Sequence, residues 1–184
     1  MNNKLIQYGN RGMTLENDIN ITNDYYRLNN IALIYKKPTP IKVIKTNYEK
    51  TRIQDAFYEM KSTLDYNGVY KGKYIEFDAK ETTSKTSFPL ANIHKHQLEH
   101  MKNVILHKGI VFLIIRFVSL NKTYLVMGND IINYIDINKR KSLPLTFFQE
   151  YGHIINLKYN PRVNYIEILD KKIINNWYLV KNIL

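Results

Sequence analysis

The spacing of apolar and polar positions changes several times along the chain, and each change marks an element. From Thr14, a suitable N-cap, to about Asn29, the residues Leu15, Ile19 and Tyr26 recur near one face at helical spacing, with Met13 placed to staple the first turn. Ile31 to Tyr35 reads as a buried strand. Lys36-Lys37-Pro38-Thr39-Pro40 stops it, because proline has no N–H to give a ladder, and a second strand-like run covers Ile41 to Thr46. Tyr48 to Ser62 keeps no clean period and lies between strand-like segments, so an excursion from the sheet is expected at about residues 47–62. Tyr66 to Tyr70 and Lys73 to Lys80 read as strands flanking Lys71-Gly72. Asn92 to Leu106 has helical spacing and stops before Gly109. Ile110 to Val118 is apolar enough for a central strand, with Thr123 to Met127 as its neighbour. Asn129 to Ile137 reads as a short helix, and Pro161 to Leu169 as a further extended or helical segment. This order predicts an α/β fold with a mixed central β-sheet flanked by helices, and 184 residues without repeat or linker predict a single domain over 1–184.

Composition narrows the chemistry. At 45% hydrophobic residues the chain can bury a core without staples, and with no cysteine it has no disulfides, thiol nucleophile or thiolate zinc site. The first residues carry no signal-like apolar core, and the longest apolar stretch, Ile110 to Leu120, is interrupted by Arg116. Neither secretion nor membrane insertion is expected, and a reducing cytoplasm fits. Lys and Arg number 27 against 16 Asp and Glu, a formal charge of +11, which favours a polyanionic partner. Abundant Lys, Asn, Ile and Tyr also fit a biased codon supply, so charge alone does not settle the partner.

One segment carries candidate chemistry. If Lys71-Gly72 is a two-residue hairpin loop, Tyr70 faces Lys73, and stepping outward sets Asp65 opposite Asp78 and Thr63 opposite Lys80. Alternation then sends Ile75, Phe77 and Ala79 to one face and Glu76, Asp78 and Lys80 to the other, joined there by Thr63 and Asp65. Asn67-Gly68 is the stronger turn dipeptide in general, and a loop there would set Asp65 opposite Tyr70 instead. Carboxylates facing each other across a ladder repel unless something positive sits between them. Oxygen donors without thiols point to Mg²⁺, or Mn²⁺, rather than zinc. Lys80 would then place a cation where a phosphate under attack gathers negative charge. An Asp-x-Lys triplet by itself is common on solvated strands; the apolar partner face and the paired Asp65 set this one apart.

Asn10-Arg11-Gly12-Met13-Thr14-Leu15-Glu16, Lys36-Lys37-Pro38-Thr39-Pro40, Thr63 to Lys80, Lys85-Thr86-Ser87-Phe88-Pro89-Leu90 and His96-Gln97-Leu98-Glu99-His100-Met101 follow one another in that order, from about Gln7 to Ile168. With these motifs the chain resembles the RecU-type Holliday junction resolvases of the PD-(D/E)xK nuclease superfamily. The resemblance implies a restriction-endonuclease-like fold with a protruding stalk, a homodimer, and metal-dependent nicking of four-way DNA junctions in recombination and repair. It implies metal ligation by Thr63, Asp65, Asp78 and Gln97, directly or through water, and transition-state stabilisation by Lys80. Arg11, Lys36 and Arg52 match positions used on DNA, Glu16 could add an acid, and recombination and branch-migration proteins are implied partners. Asp78 stands where the family usually has Glu, one methylene longer, and the arm between Thr46 and Thr63 is a few residues shorter than usual.

Other residues have blander readings. His96 and His100 have zinc-ligand spacing but no evident third ligand, and Glu76 and Glu81 flank the site and read as residues that support the ligands or face solvent, not as ligands. Two rivals remain open, a DNA-binding protein without catalysis and a different nuclease of the same motif class.

Overall fold

The computed structural model describes residues 13–47, 52–58 and 63–171. Its centre is a mixed six-stranded sheet. Helix α1 (Met13–Leu28) precedes β1 (Leu33–Lys36), and the hairpin strands β2 (Ile41–Asn47) and β3 (Arg52–Tyr58) follow. The chain then forms β4 (Tyr66–Tyr70), β5 (Lys73–Thr82), β6 (Ser87–Pro89), α2 (Lys95–Leu106), β7 (Ile110–Phe117), β8 (Lys122–Met127) and α3 (Gly128–Asn138). It closes with β9 (Ser142–Pro144), α4 (Leu145–Glu150), β10 (His153–Ile154) and α5 (Tyr165–Leu169). The sheet order is β1-β4-β5-β7-β8-β10, and only the central pair β5 and β7 runs parallel.

A sheet with helices on both sides needs apolar side chains on both of its faces, and the strands supply them. On one face Leu15, Ile19 and Tyr26 of α1 and Tyr165, Ile166 and Leu169 near the end of the described chain pack on Ile75, Phe77, Phe112 and Ile114. Tyr66, Phe77 and Phe112 lie in register on β4, β5 and β7, and their rings stack at 4.8 and 4.7 Å between centroids. On the other face Met101 and Val104 of α2, Ile131 of α3 and Phe147 and Phe148 of α4 cover Val111, Leu113, Ile115 and Val126. The acid-bearing side of β5 therefore lies under α2, not in open solvent.

The β4–β5 register is the expected one, with Tyr70 paired to Lys73 and Tyr66 to Phe77. Lys71 and Gly72 both have positive φ, 48° and 72°, as a two-residue loop matched to strand twist requires. Asn67-Gly68 is no turn. Gly68 sits inside β4 paired with Ile34, and a Cβ there would come within 1.9 Å of the Leu33 carbonyl oxygen, so the glycine lets β1 approach.

The strand-like run at Ile41 differs from its simplest reading. β2 pairs only with β3, as a separate two-stranded ribbon between β1 and β4. The excursion thus begins at Ile41, earlier than about residue 47, and residues 48–51 lie outside those described. Ile44, Ile53 and Phe57 of this ribbon are exposed.

Candidate active site

Two strands and one helix converge on the candidate residues. Asp78 lies mid-way along β5, whose alternation turns it away from the Phe77 and Ala79 side. It is fully buried. Its Oδ2 accepts a hydrogen bond from Gln97 Nε2 at 2.8 Å and lies 2.8 Å from Lys80 Nζ. Its Oδ1 has no hydrogen-bond partner among the described residues. Extending the β4–β5 register by one rung brings Asp65 opposite Asp78, and the two carboxyls are within hydrogen-bonding reach. As carboxylates neither can donate. Burial, and then the charge of Asp78, push Asp65 up to about 6, while Lys80 and Lys36 pull the other way. A proton between the two acids relieves this strain, and so does a cation.

The donor set suits a hard divalent ion. Asp65 and Asp78 bring carboxylate oxygens, one of them a buried acceptor left unanswered, and the Thr63 hydroxyl lies 3.4 Å from Glu76 Oε1, one alternation along β5 from Asp78. Among the described residues, no three His, Asp or Glu side chains are arranged to hold a metal, so oxygens other than carboxylate must complete any such shell. Gln97 has a different aspect from the one expected of a ligand. Its Oε1 accepts from the His94 backbone N–H at 3.1 Å as part of the α2 capping box. Its Nε2 donates to Asp78 and, at 2.9 Å, to the Thr63 carbonyl. The amide nitrogen, not the oxygen, thus faces the acids, and Gln97 ties the start of α2 to both site strands.

The remaining expected residues are spread around this centre. Lys36, partly exposed at the end of β1, pairs with Glu16 of α1 at 2.5 Å and is close enough to lower the pKa of Asp65. Glu16 is thereby engaged by a lysine and held near Tyr66, whose hydroxyl lies 3.3 Å from the Glu16 carbonyl oxygen. Arg52 begins β3, opposite Asn47 at the far end of the ribbon. Arg11 lies outside the described residues.

Sequence reasoning missed a second buried acid. Glu76 is fully buried, one alternation before Asp78 on the same face. Burial alone would raise it, but hydrogen bonds from Lys37 and Tyr74, with His100 close by, hold its carboxyl below the ordinary range. Tyr74 Oη donates to Oε2 at 2.7 Å. His100 Nε2 lies 2.8 Å from Oε1, although its ring N–H is not aimed along that line. The strict alternation of β5 was the available signal, since it places Glu76 wherever it places Asp78.

The family model described as "Recombination protein U" matches residues 10–171. The chain belongs to the RecU family. Among RecU relatives, the "Holliday junction resolvase RecU" of Geobacillus sp. (strain WCH70) is 51% identical over 170 residues, covering 89% of this chain and 85% of that one. The protein of the same name from Pediococcus pentosaceus (strain ATCC 25745 / CCUG 21536 / LMG 10740 / 183-1w) is 48% identical over 174 residues, covering 91% and 87%. Among solved structures, the Holliday junction resolvase Hjc of Archaeoglobus fulgidus aligns with a TM-score of 0.45 at 7% identity, covering 78% of this chain and 91% of that one. Among the described residues of this RecU-family chain, no helix is long and apolar enough to cross a membrane.

Proposed function

We propose that this protein is a Mg²⁺-dependent endonuclease, with Mn²⁺ as an alternative ion, that resolves four-way DNA junctions by symmetric nicking during recombination and repair. The observation that carries this reading is the buried Asp78, paired with Asp65 and flanked by Lys80, in a chain whose family relatives are named Holliday junction resolvases. Asp65, Asp78 and Thr63 would hold the ion, and Gln97 would fix Asp78. A bound Mg²⁺ supplies Lewis-acid polarisation of phosphate and of attacking water.

The chain's own residues prepare that chemistry in a fixed geometry. Gln97 and Lys80 both contact Asp78 Oδ2, which leaves Oδ1 for a cation. Lys80 is partly exposed at 22%, so its ammonium can reach a phosphate oxygen while staying anchored to Asp78. Lys36, Arg11 and Arg52 would contact the DNA backbone, with Arg52 reaching the junction from the ribbon. Two-fold symmetric DNA is matched by a homodimer, which would present one site to each of two opposed strands. Recombination and branch-migration proteins would be its partners, in the cytoplasm.

Asp78→Asn tests the assignment, because it keeps shape and removes the charge that would bind Mg²⁺. Cleavage of a synthetic four-way junction should collapse, with gel-shift affinity unchanged or improved and folding intact by circular dichroism. Cleavage at the unmutated rate in saturating Mg²⁺ would show that another acid does the work.

A further inference from the structure

Given the metal-dependent reading above, we propose that Lys37 is a built-in cation occupying the place of a second divalent ion between Glu76 and Thr63, so that the site takes a single metal.

Lys37 arrives there by backbone geometry. Its N–H donates to the Asp65 carbonyl at 2.7 Å, which continues the β1–β4 ladder one rung past the Lys36 and Tyr66 pair. Residues facing each other across a ladder share a face, so Lys37 points to the same side as Asp65, Glu76 and Asp78. Pro38 follows, holding Lys37 extended and ending the ladder. The side chain is 22% exposed, and its ammonium donates to Thr63 Oγ1 at 2.6 Å and to Glu76 Oε1. Thr63 Oγ1 in turn lies 3.4 Å from Glu76 Oε1.

These acceptors are hard oxygens, a carboxylate and a hydroxyl, one alternation along β5 from Asp78. They would suit Mg²⁺ or Mn²⁺ if the ammonium were not there. Glu76 is fully buried, so an anion at this position must have a counter-charge close by. A lysine supplies it permanently, whereas a free ion would supply it only when bound. The same contact fixes Thr63. With Lys37 on one lone pair and the hydroxyl hydrogen able to turn towards Glu76, one lone pair of Oγ1 remains for the ion held by Asp65 and Asp78.

The test counts bound Mn²⁺ on the full chain by electron paramagnetic resonance, without DNA, in the metal-stripped wild type, Lys37→Met, Lys37→Arg and the double variant Lys37→Met with Glu76→Gln. The wild type should bind a single Mn²⁺ per chain, and Lys37→Met should bind a second. Lys37→Arg should keep the wild-type count, and adding Glu76→Gln to Lys37→Met should remove the second ion again. In junction cleavage, kcat should fall in Lys37→Met and recover in part in the double variant, while KM stays unchanged. A wild type that already binds a second Mn²⁺, or a folded Lys37→Met with the wild-type count, overturns the proposal. If Lys37→Met does not fold, the wild-type count decides alone. A wild type that binds no Mn²⁺ instead sinks the metal-dependent reading.

Discussion

Asp65→Asn separates the electrostatic cost of the site from its use. In the metal-free protein Asp65 sits half-buried against Asp78, which with burial lifts it from an ordinary 3.8 to about 6. A group with a folded pKa above its unfolded one stabilises the fold fully at low pH. That contribution is lost as pH rises, here between about 4 and 6. A displacement of this size is worth at most about 3 kcal/mol, and solvent screening at a half-open position reduces it to about 1–2 kcal/mol. Asparagine cannot ionise, and its amide can donate to Asp78 as the protonated acid does. In EDTA the variant should therefore match the wild type near pH 4 and exceed it at pH 8 by about 1–2 kcal/mol, roughly 2–8 °C in Tm for a chain of this size. Mg²⁺ at about 100 times its Kd should then stabilise the wild type by about 2.7 kcal/mol and leave the variant almost unmoved. Thermal denaturation followed by circular dichroism, with and without Mg²⁺ at both pH values, provides the measurement. A variant less stable than the wild type at pH 8 in EDTA, or one that Mg²⁺ stabilises equally, would refute the idea of a strained acid pair awaiting a cation.

Other consequences are open to direct assay. With a formal charge of +11, junction affinity should fall steeply with salt, with a log–log slope of about −0.9 for each duplex phosphate neutralised, and a flat titration would contradict an electrostatic interface. Arg52→Ala at the far end of the ribbon should reduce discrimination of junctions from duplex more than it slows nicking, as read by paired gel-shift and cleavage assays. Equal loss on both substrates would leave the ribbon a structural role only.

The hairpin that carries the acids was legible because its determinants are local. Lys71-Gly72 suits a tight loop, and alternation then fixes which side each residue takes. Asn67-Gly68 could mislead because its glycine answers a tertiary demand, the approach of β1, that adjacent sequence does not announce. The same limit hid the destination of Ile41 to Thr46. A strand pattern says that a segment will pair, but not that its partner is another arm strand instead of the central sheet. The short strands β6, β9 and β10 and the six-residue α4 fell below the length at which periodicity speaks. At the site, Asp65, Asp78 and Lys80 came from spacing, whereas the direction of the Gln97 amide and the grip of Lys37 on Glu76 depend on α2 and β1 packing against β5.

The central claim is that this chain cuts branched DNA through the Asp65 and Asp78 pair with a divalent ion. It is tested most directly by incubating the full chain with an immobile synthetic four-way junction and, in parallel, a duplex of matched sequence, in Mg²⁺, in Mn²⁺ and in EDTA. The account predicts paired nicks at opposed positions of the junction in either metal, an intact duplex, and no product in EDTA. Cleavage that persists in EDTA, or that proceeds equally on the duplex, would contradict it.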